Sequence, residues 1–306
     1  MSRTRPPSVE LVEVGPRDGL QNDQVLLPTQ TKLAMIRRLA AAGLRRIEVT
    51  SFVHPKLVPQ MADAAAVVNG LRDLSNVSLS ALALNERGVD RALVCPLQEI
   101  TFVVVASDTF SNRNQGMSTA EGVINWRRLS PRIRAGGMLR SVTIAAAFGC
   151  PFEGEVPLSR VVALALEIAE AGTDELALAD TIGVATPADV EERFSAIREA
   201  LPGMKLRAHF HNTRNTGLAN ADAALRTGVL ALDASLGGLG GCPFAPGATG
   251  NIATEDLCYM LERSQVAHGV GIVALRDATR WLEAEMGGRR LPGQGAHVAP
   301  FPQMAA

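Results

Sequence analysis

The stretch ITFVVVA, Ile100–Ala106, decides the fold class. A strand with one wet face alternates polar and apolar residues, whereas this run is almost continuously apolar. That is the pattern of a strand covered on both faces, as in a parallel sheet flanked by helices. SVTIAAA, Ser141–Ala147, reads the same way. Working outward, six more short runs rich in Val, Ile, Leu or Ala complete the set: Val9–Val14, Arg46–Thr50, Val77–Ala83, Glu175–Ala179, Leu206–Phe210 and Leu230–Ser235. Helical patterns lie between them at Thr29–Ala42, Leu158–Ala171, Pro187–Ala200 and Thr216–Thr227; in the first, Leu33, Ile36, Leu39 and Ala40 share one face. Gly43, Gly172, Pro202 and Gly228 mark helix ends, and Pro157 and Pro187 mark helix starts.

Eight βα units of about 25–30 residues each predict an α/β fold of the (β/α)8 TIM-barrel type. The competing open, doubly wound sheet announces itself with GxGxxG after its first strand. Here the first strand runs into EVGPRDGLQ, Glu13–Gln21, instead. We expect an N-terminal tail over 1–8 and a catalytic barrel over 9–270. Residues 271–306 should form a C-terminal helix, Ile272–Met286, that caps the barrel and ends in a flexible Gly/Pro/Ala-rich tail.

The 306 residues can bury a large core. Net charge is −1 with no basic block, which gives no support for nucleic-acid or anionic-membrane binding through bulk charge. No apolar stretch approaches transmembrane length, and MSRTRPPSVE lacks the apolar core of a signal peptide. Cys95, Cys150, Cys242 and Cys258 are widely spaced with no CxxC, so neither a disulfide framework nor a zinc cluster is expected. A reduced, cytoplasmic protein is the expectation.

Polar residues collect where a barrel places its site, at the C-terminal strand ends. Strand 1 ends in Arg17-Asp18, strand 2 carries Glu48, strand 6 ends in Asp180-Thr181, and strand 7 ends in His209-Phe210-His211. Strand 8 leads into the glycine-rich SLGGLGGCPFAPGATGN, Ser235–Asn251. With period two, His209 and His211 point to one side, roughly 6.5 Å apart along the chain. A set of Asp18, His209, His211 and the neutral amide of Asn251 mixes nitrogen and oxygen and lacks thiolate unless Cys242 joins. That composition favours an octahedral divalent ion, Mg²⁺ or Mn²⁺, with open positions for a chelating substrate; Zn²⁺ stays open as well.

Six longer motifs extend these residues. They are VEVGPRDGLQN (Val12–Asn22), IEVTSFVHPKLVPQMAD (Ile47–Asp63), FGCPFEGEV (Phe148–Val156), LADTIGVATP (Leu178–Pro187), HFHNT (His209–Thr213) and GGLGGCPFAPGATGNIATEDLCYML (Gly237–Leu261). In this order they resemble the 3-hydroxy-3-methylglutaryl-CoA lyase family, metal-dependent lyase barrels related to isopropylmalate and homocitrate synthases. The resemblance spans about Val9 to Gly269. It implies that Asp18, His209, His211 and Asn251 are metal ligands and that Arg17 steadies the enolate oxygen of the leaving acetyl-CoA. It makes Glu48 and Asp180 acidic residues of the active-site shell and Cys242 a proton-delivering cysteine. Gln21 and Thr181, within the first and fourth of these motifs, join Arg17 and Asp180 as expected substrate contacts. An acyl-CoA substrate and a homodimer are implied too. The synthases' Gly-Glu-Arg loop and long C-terminal domain are absent, which argues against a condensing acyltransferase.

The chemistry asks for such groups. Cleaving the C2–C3 bond of a 3-hydroxyacyl thioester needs a base for the C3 hydroxyl, whose pKa falls on a divalent cation, a cation at the thioester oxygen, and an acid for the enolate carbon. The base is left open between Asp18 and a histidine. Departures lie beside the histidines: the mitochondrial-type lyases read HCHDTYG where this chain has Asn212, Arg214 and Asn215. Ser107-Asp108 stands where the lyases have Ser-Glu. A citramalyl- or methylmalyl-type thioester is therefore the alternative substrate, and Arg214 is read either as facing solvent or as accepting a different carboxylate.

Overall fold

The computed structural model describes residues 5–241, 250–299 and 301. Eight parallel strands close into a barrel in chain order. They are β1 (Glu10–Glu13), β2 (Arg46–Ser51), β3 (Ser78–Leu82), β4 (Glu99–Val105), β5 (Leu139–Ala145), β6 (Glu175–Asp180), β7 (Lys205–Phe210) and β8 (Ala231–Ala234). Helices α1 (Thr29–Ala41), α2 (Ala64–Asn69), α3 (Glu86–Leu93), α4 (Asp108–Gln115) and α5 (Thr119–Ala135) serve the first half. The second half is covered by α6 (Leu158–Glu170), α7 (Pro187–Ala200), α8 (Gly217–Arg226), α9 (Thr254–Arg263) and α10 (Ile272–Glu285). The expected (β/α)8 fold is the observed one. Strands β2, β6 and β8 are buried at every position, as the apolar runs require of strands covered on both faces.

Two helices, not one, follow β4. Gly116, at φ +69°, ends α4 in the left-handed region, and Ser118 with Glu121 forms a capping box that restarts the chain as α5. The core between helices and barrel holds Trp126, fully buried against Phe102 at a centroid distance of 5.4 Å, its Nε1 donating to Thr173 Oγ1 at 3.0 Å. The C-terminal helix α10 packs on α1 and α9. Beyond it, Gly293 N donates to Gly237 O at 2.8 Å and Leu291 is buried, so this segment braces the turn after β8. No described helix is long and apolar enough to cross a membrane.

Charges fill the barrel floor. Arg46 on β2 binds both Glu99 on β4 and Glu175 on β6, each through two hydrogen bonds of 2.6–2.8 Å. Such buried pairs add little net stability but are costly to break by removing one partner.

A second buried acid ties the first strand to the last. Glu13 accepts hydrogen bonds from Gly15 N, Leu236 N and Thr254 Oγ1. Burial nevertheless pushes its carboxyl up to about 8. Glu255, which accepts from Gly237 N and Thr279 Oγ1, is raised by burial to about 7. A carboxyl raised on folding holds a proton that the unfolded chain has lost, so stability falls as pH rises from about 4.5 to about 8. Glu13→Gln keeps an acceptor for both backbone amides and a donor for Thr254. It is expected to remove up to about 1.4 kcal/mol per pH unit from that slope in urea unfolding between pH 5 and 8. An unchanged slope would show that Glu13 is ionised in the folded protein.

Candidate active site

Three alternate positions of one strand and its exit, Arg207, His209 and His211, face the barrel axis. The chain leaves β1 through a single π-helical turn, Gly15–Gly19, which brings Arg17 and Asp18 over the same mouth. Asn251 arrives from the far side of the β8 loop: it pairs in a bridge with His211, and Asn212 N donates to Gly250 O at 3.0 Å. This close approach needs glycine. A Cβ on Gly240 (φ +137°) would lie 2.7 Å from Asn251 Nδ2, and one on Gly250 would lie 2.5 Å from Gly238 O.

The ligand atoms of Asp18, His209 and His211 lie within 4.8 Å of one another. Asp18 Oδ2 is 4.0 Å from His209 Nε2 and 3.8 Å from His211 Nε2. Asn251 Nδ2 donates to Asp18 Oδ2 at 2.8 Å and to Leu239 O at 3.2 Å, which leaves its Oδ1 buried without a partner. Two imidazoles, a carboxylate and an orphaned amide oxygen suit a divalent cation of oxygen and nitrogen preference. His209 Nδ1 meets Asp233 Oδ2 at 3.0 Å, which turns its Nε2 toward Asp18, the outer-partner arrangement of metal-binding histidines.

Charges around this set are balanced. Arg17 donates to Asp18 Oδ1 at 2.6 Å through Nη1 and to Glu48 Oε2 at 2.5 Å through Nε. Burial alone would raise Asp18, but Arg17 and the two imidazoles hold it well below the usual carboxylate range. For Glu48 burial wins over Arg17 and Arg207, and its carboxyl is raised. Its second oxygen, Oε1, is buried without a partner.

A cavity of about 410 Å³ opens on these groups, a size suited to a small-molecule site. Arg17, Asp18, Glu48, His209 and His211 line it, as do Gln21 and Thr181. Gln21 Oε1 accepts from Ser51 Oγ at 3.1 Å, and Thr181 Oγ1 accepts from Ala146 N at 2.9 Å. Asp180 is placed differently. Its two oxygens accept from Val184 N and Ala185 N at 2.9 and 3.0 Å, so its carboxylate shapes the loop after β6 and does not line the cavity. Cys242 lies outside the described residues.

The departures beside the histidines have local explanations. Asn212 Oδ1 accepts from Gly217 N at 3.1 Å and so serves the start of α8, not the imidazoles. Arg214 donates to the carbonyls of Ile182 (3.2 Å) and Gly183 (2.8 Å) and does not line the cavity. Asn215 sits at φ +57°, a left-handed position that asparagine tolerates better than most residues. Asp108 accepts from Thr119 N at 2.8 Å and pairs with Arg160, away from the cavity.

Two functional residues escaped the sequence reading. Asp233 orients His209, and Arg207 in turn donates to Asp233 Oδ1 at 3.0 Å and to Ser141 Oγ at 2.9 Å, with its Nε 2.9 Å from Glu175. The signal for both was present: a lone acid inside the apolar run of strand 8, and an arginine two residues before His209, hence on its face.

A sequence model of the HMGL-like family matches residues 8–282. The hydroxymethylglutaryl-CoA lyase YngG of Bacillus subtilis is 40% identical, over 96% of this chain and 98% of its own length. The (R)-citramalyl-CoA lyase of Chloroflexus aurantiacus is 41% identical, over 98% of each chain. An HMG-CoA lyase from Acinetobacter baumannii, solved with coenzyme A and 3-methylmalate, superposes with a TM-score of 0.90 at 35% identity, covering 97% of this chain and 98% of that one. The chain thus belongs to the HMGL-like family and is an enzyme of the hydroxymethylglutaryl-CoA lyase type.

Proposed function

We propose that this enzyme splits 3-hydroxy-3-methylglutaryl-CoA into acetyl-CoA and acetoacetate, with Mg²⁺ or Mn²⁺ held by Asp18, His209, His211 and Asn251. The observation that carries the reading is the convergence of three charged or imidazole ligands and one orphaned amide oxygen beside a buried arginine. A bound divalent cation would supply a Lewis acid that lowers the pKa of the C3 hydroxyl.

The protein's own groups supply the rest. Asp18, held ionised by Arg17, suits a ligand better than a base. Glu48, which lines the cavity with a raised proton affinity and an Oε1 that has no hydrogen-bond partner, is matched to take the hydroxyl proton. As the C2–C3 bond breaks, its electron pair moves onto the thioester as an enolate. Arg17 Nη2, which makes no hydrogen bond among the described residues, is available to that oxygen. A proton then returns to C2, the role that the resemblance gives to Cys242. Asp233 holds the His209 ring so that Nε2, not Nδ1, faces the site.

The citramalyl-type thioester is the second reading, favoured by a citramalyl-CoA lyase as similar to this chain as the hydroxymethylglutaryl-CoA lyases are. Acetyl-CoA release from both thioesters, with Mg²⁺, Mn²⁺ or chelator, separates the two. We expect metal-dependent cleavage with a higher kcat/KM for the hydroxymethylglutaryl thioester. A reversed preference assigns the second substrate, and no release from either overturns the lyase reading.

A further inference from the structure

The charged groups of the barrel floor and those of the metal site form one column. Strands β2 and β6 are four apart in a ring of eight, so the paired contacts of Arg46 with Glu175 cross the barrel interior. A filled barrel carries bulky branched side chains at that level. Above it, Arg207 places Nε 2.9 Å from Glu175 Oε1 and donates through Nη1 to Asp233 Oδ1, and the other Asp233 oxygen meets His209 Nδ1. Ser141 Oγ accepts from Arg207 Nη2 and donates to the same Glu175 oxygen at 3.4 Å. Arg46, Glu99, Glu175, Arg207 and Asp233 are all buried, and only Glu10, below Arg46, reaches solvent.

Two carboxylates in this column are shared. Glu175 is divided between Arg46 and Arg207, and Asp233 between Arg207 and His209. Burial would raise both, but Arg207 and Arg46 hold Glu175 below the usual carboxylate range, and Arg207 and the His209 ring do the same for Asp233. An ionised Asp233 makes His209 Nδ1 the donor and leaves Nε2 for a cation. What Arg207 takes from Asp233 is lost to His209, and what Glu175 takes from Arg207 is returned to it. Buried ion pairs gain little stability over apolar side chains of similar volume, so the column needs a role other than holding the barrel together.

We propose that Arg46 and Glu175 are positioning residues for the metal site, acting on His209 through Arg207 and Asp233 with alternating sign. This rests on the metal assignment made with the lyase reading. Without Glu175, Arg207 closes on Asp233 and draws it away from the ring. Without Arg46, Glu175 closes on Arg207 and releases Asp233 to the ring.

The test is Mn²⁺ calorimetry on metal-free protein. Glu175→Gln, which leaves Arg46 paired with Glu99, should raise Kd about tenfold, the lower end of what losing an outer partner costs. Arg46→Met combined with Glu99→Gln removes a buried pair together and should lower Kd about threefold. Arg46→Met alone takes its place if the double variant fails to fold. All these changes loosen the barrel floor, so a purely structural role predicts weaker binding in both. Opposite shifts support the positioning role, and any other pair of results overturns it. In an Asp233→Ala background the link to His209 is cut, and both changes should leave Kd within about twofold; a larger effect there overturns the route. If the wild type takes up no Mn²⁺, the metal assignment fails, and proton NMR of His209 Nδ1–H decides the positioning alone. A stronger hydrogen bond to Asp233 moves that proton downfield. The Arg46 variant should therefore shift it downfield and Glu175→Gln upfield; shifts in one direction, or none, overturn the proposal.

Discussion

His209→Ala is expected to weaken Mn²⁺ binding more than about 100-fold, the upper end of what losing an outer partner of a ligand costs, and to reduce turnover to background. Three features make this the most damaging single change at the metal site. His209 is buried, its side chain 9% exposed, so water cannot readily take its place as a ligand. Its Nε2 lies within reach of the same point as Asp18 Oδ2 and His211 Nε2. Its removal also leaves Asp233 with Arg207 alone, which pulls that carboxylate toward the barrel floor. Asp233→Ala provides the graded comparison. It spares the ligand but frees the ring, and about 10–100-fold weaker binding is expected. Calorimetry on metal-free protein reads both variants without reference to turnover. A His209→Ala protein that binds Mn²⁺ as the wild type does would remove His209 from the ligand set.

The same residues show what was legible in the sequence and what was not. Apolar runs such as Ile100–Ala106 report burial on both faces, and eight of them in alternation with helical patterns are enough for a closed parallel barrel. The histidine pair was legible because strand periodicity places His209 and His211 on one side without knowledge of any other strand. Asp233 and Arg207 were harder. Their partners lie on strands β7, β8, β5 and β6, and the register that brings Arg207 beside Ala231 and Ala177 is a tertiary fact. Asp180 shows the opposite limit. A strand-end acid is equally able to bind a substrate or two loop amides, and only the path of residues 181–185 selects the second. Asn212 and Arg214 are similar, since each polar side chain finds a backbone partner within its own or the neighbouring loop. Side chains satisfied by backbone groups leave no trace in composition or spacing.

Arg17→Met is expected to lower kcat about 10²–10³-fold, the cost of removing one donor from an oxyanion site, while KM changes only severalfold. The split follows from where its charge is needed. In the ground state the thioester oxygen is a weak acceptor, and the guanidinium is already neutralised by Asp18 and Glu48. As the C2–C3 bond breaks, negative charge moves onto that oxygen, and an interaction made mainly in the transition state lowers kcat and kcat/KM together. A second readout follows from Glu48. Burial raises its carboxyl while Arg17 holds it down, so removing the guanidinium raises it further. If Glu48 must be ionised to take the hydroxyl proton, the acid limb of kcat/KM moves to higher pH in Arg17→Met. Arg17→Lys restores the charge but not the planar fork that reaches both carboxylates, and it should recover the position of the limb better than the turnover. A kcat within about threefold of wild type would exclude Arg17 from the enolate site. An unmoved acid limb with low kcat would keep Arg17 there and take the proton-acceptor role from Glu48.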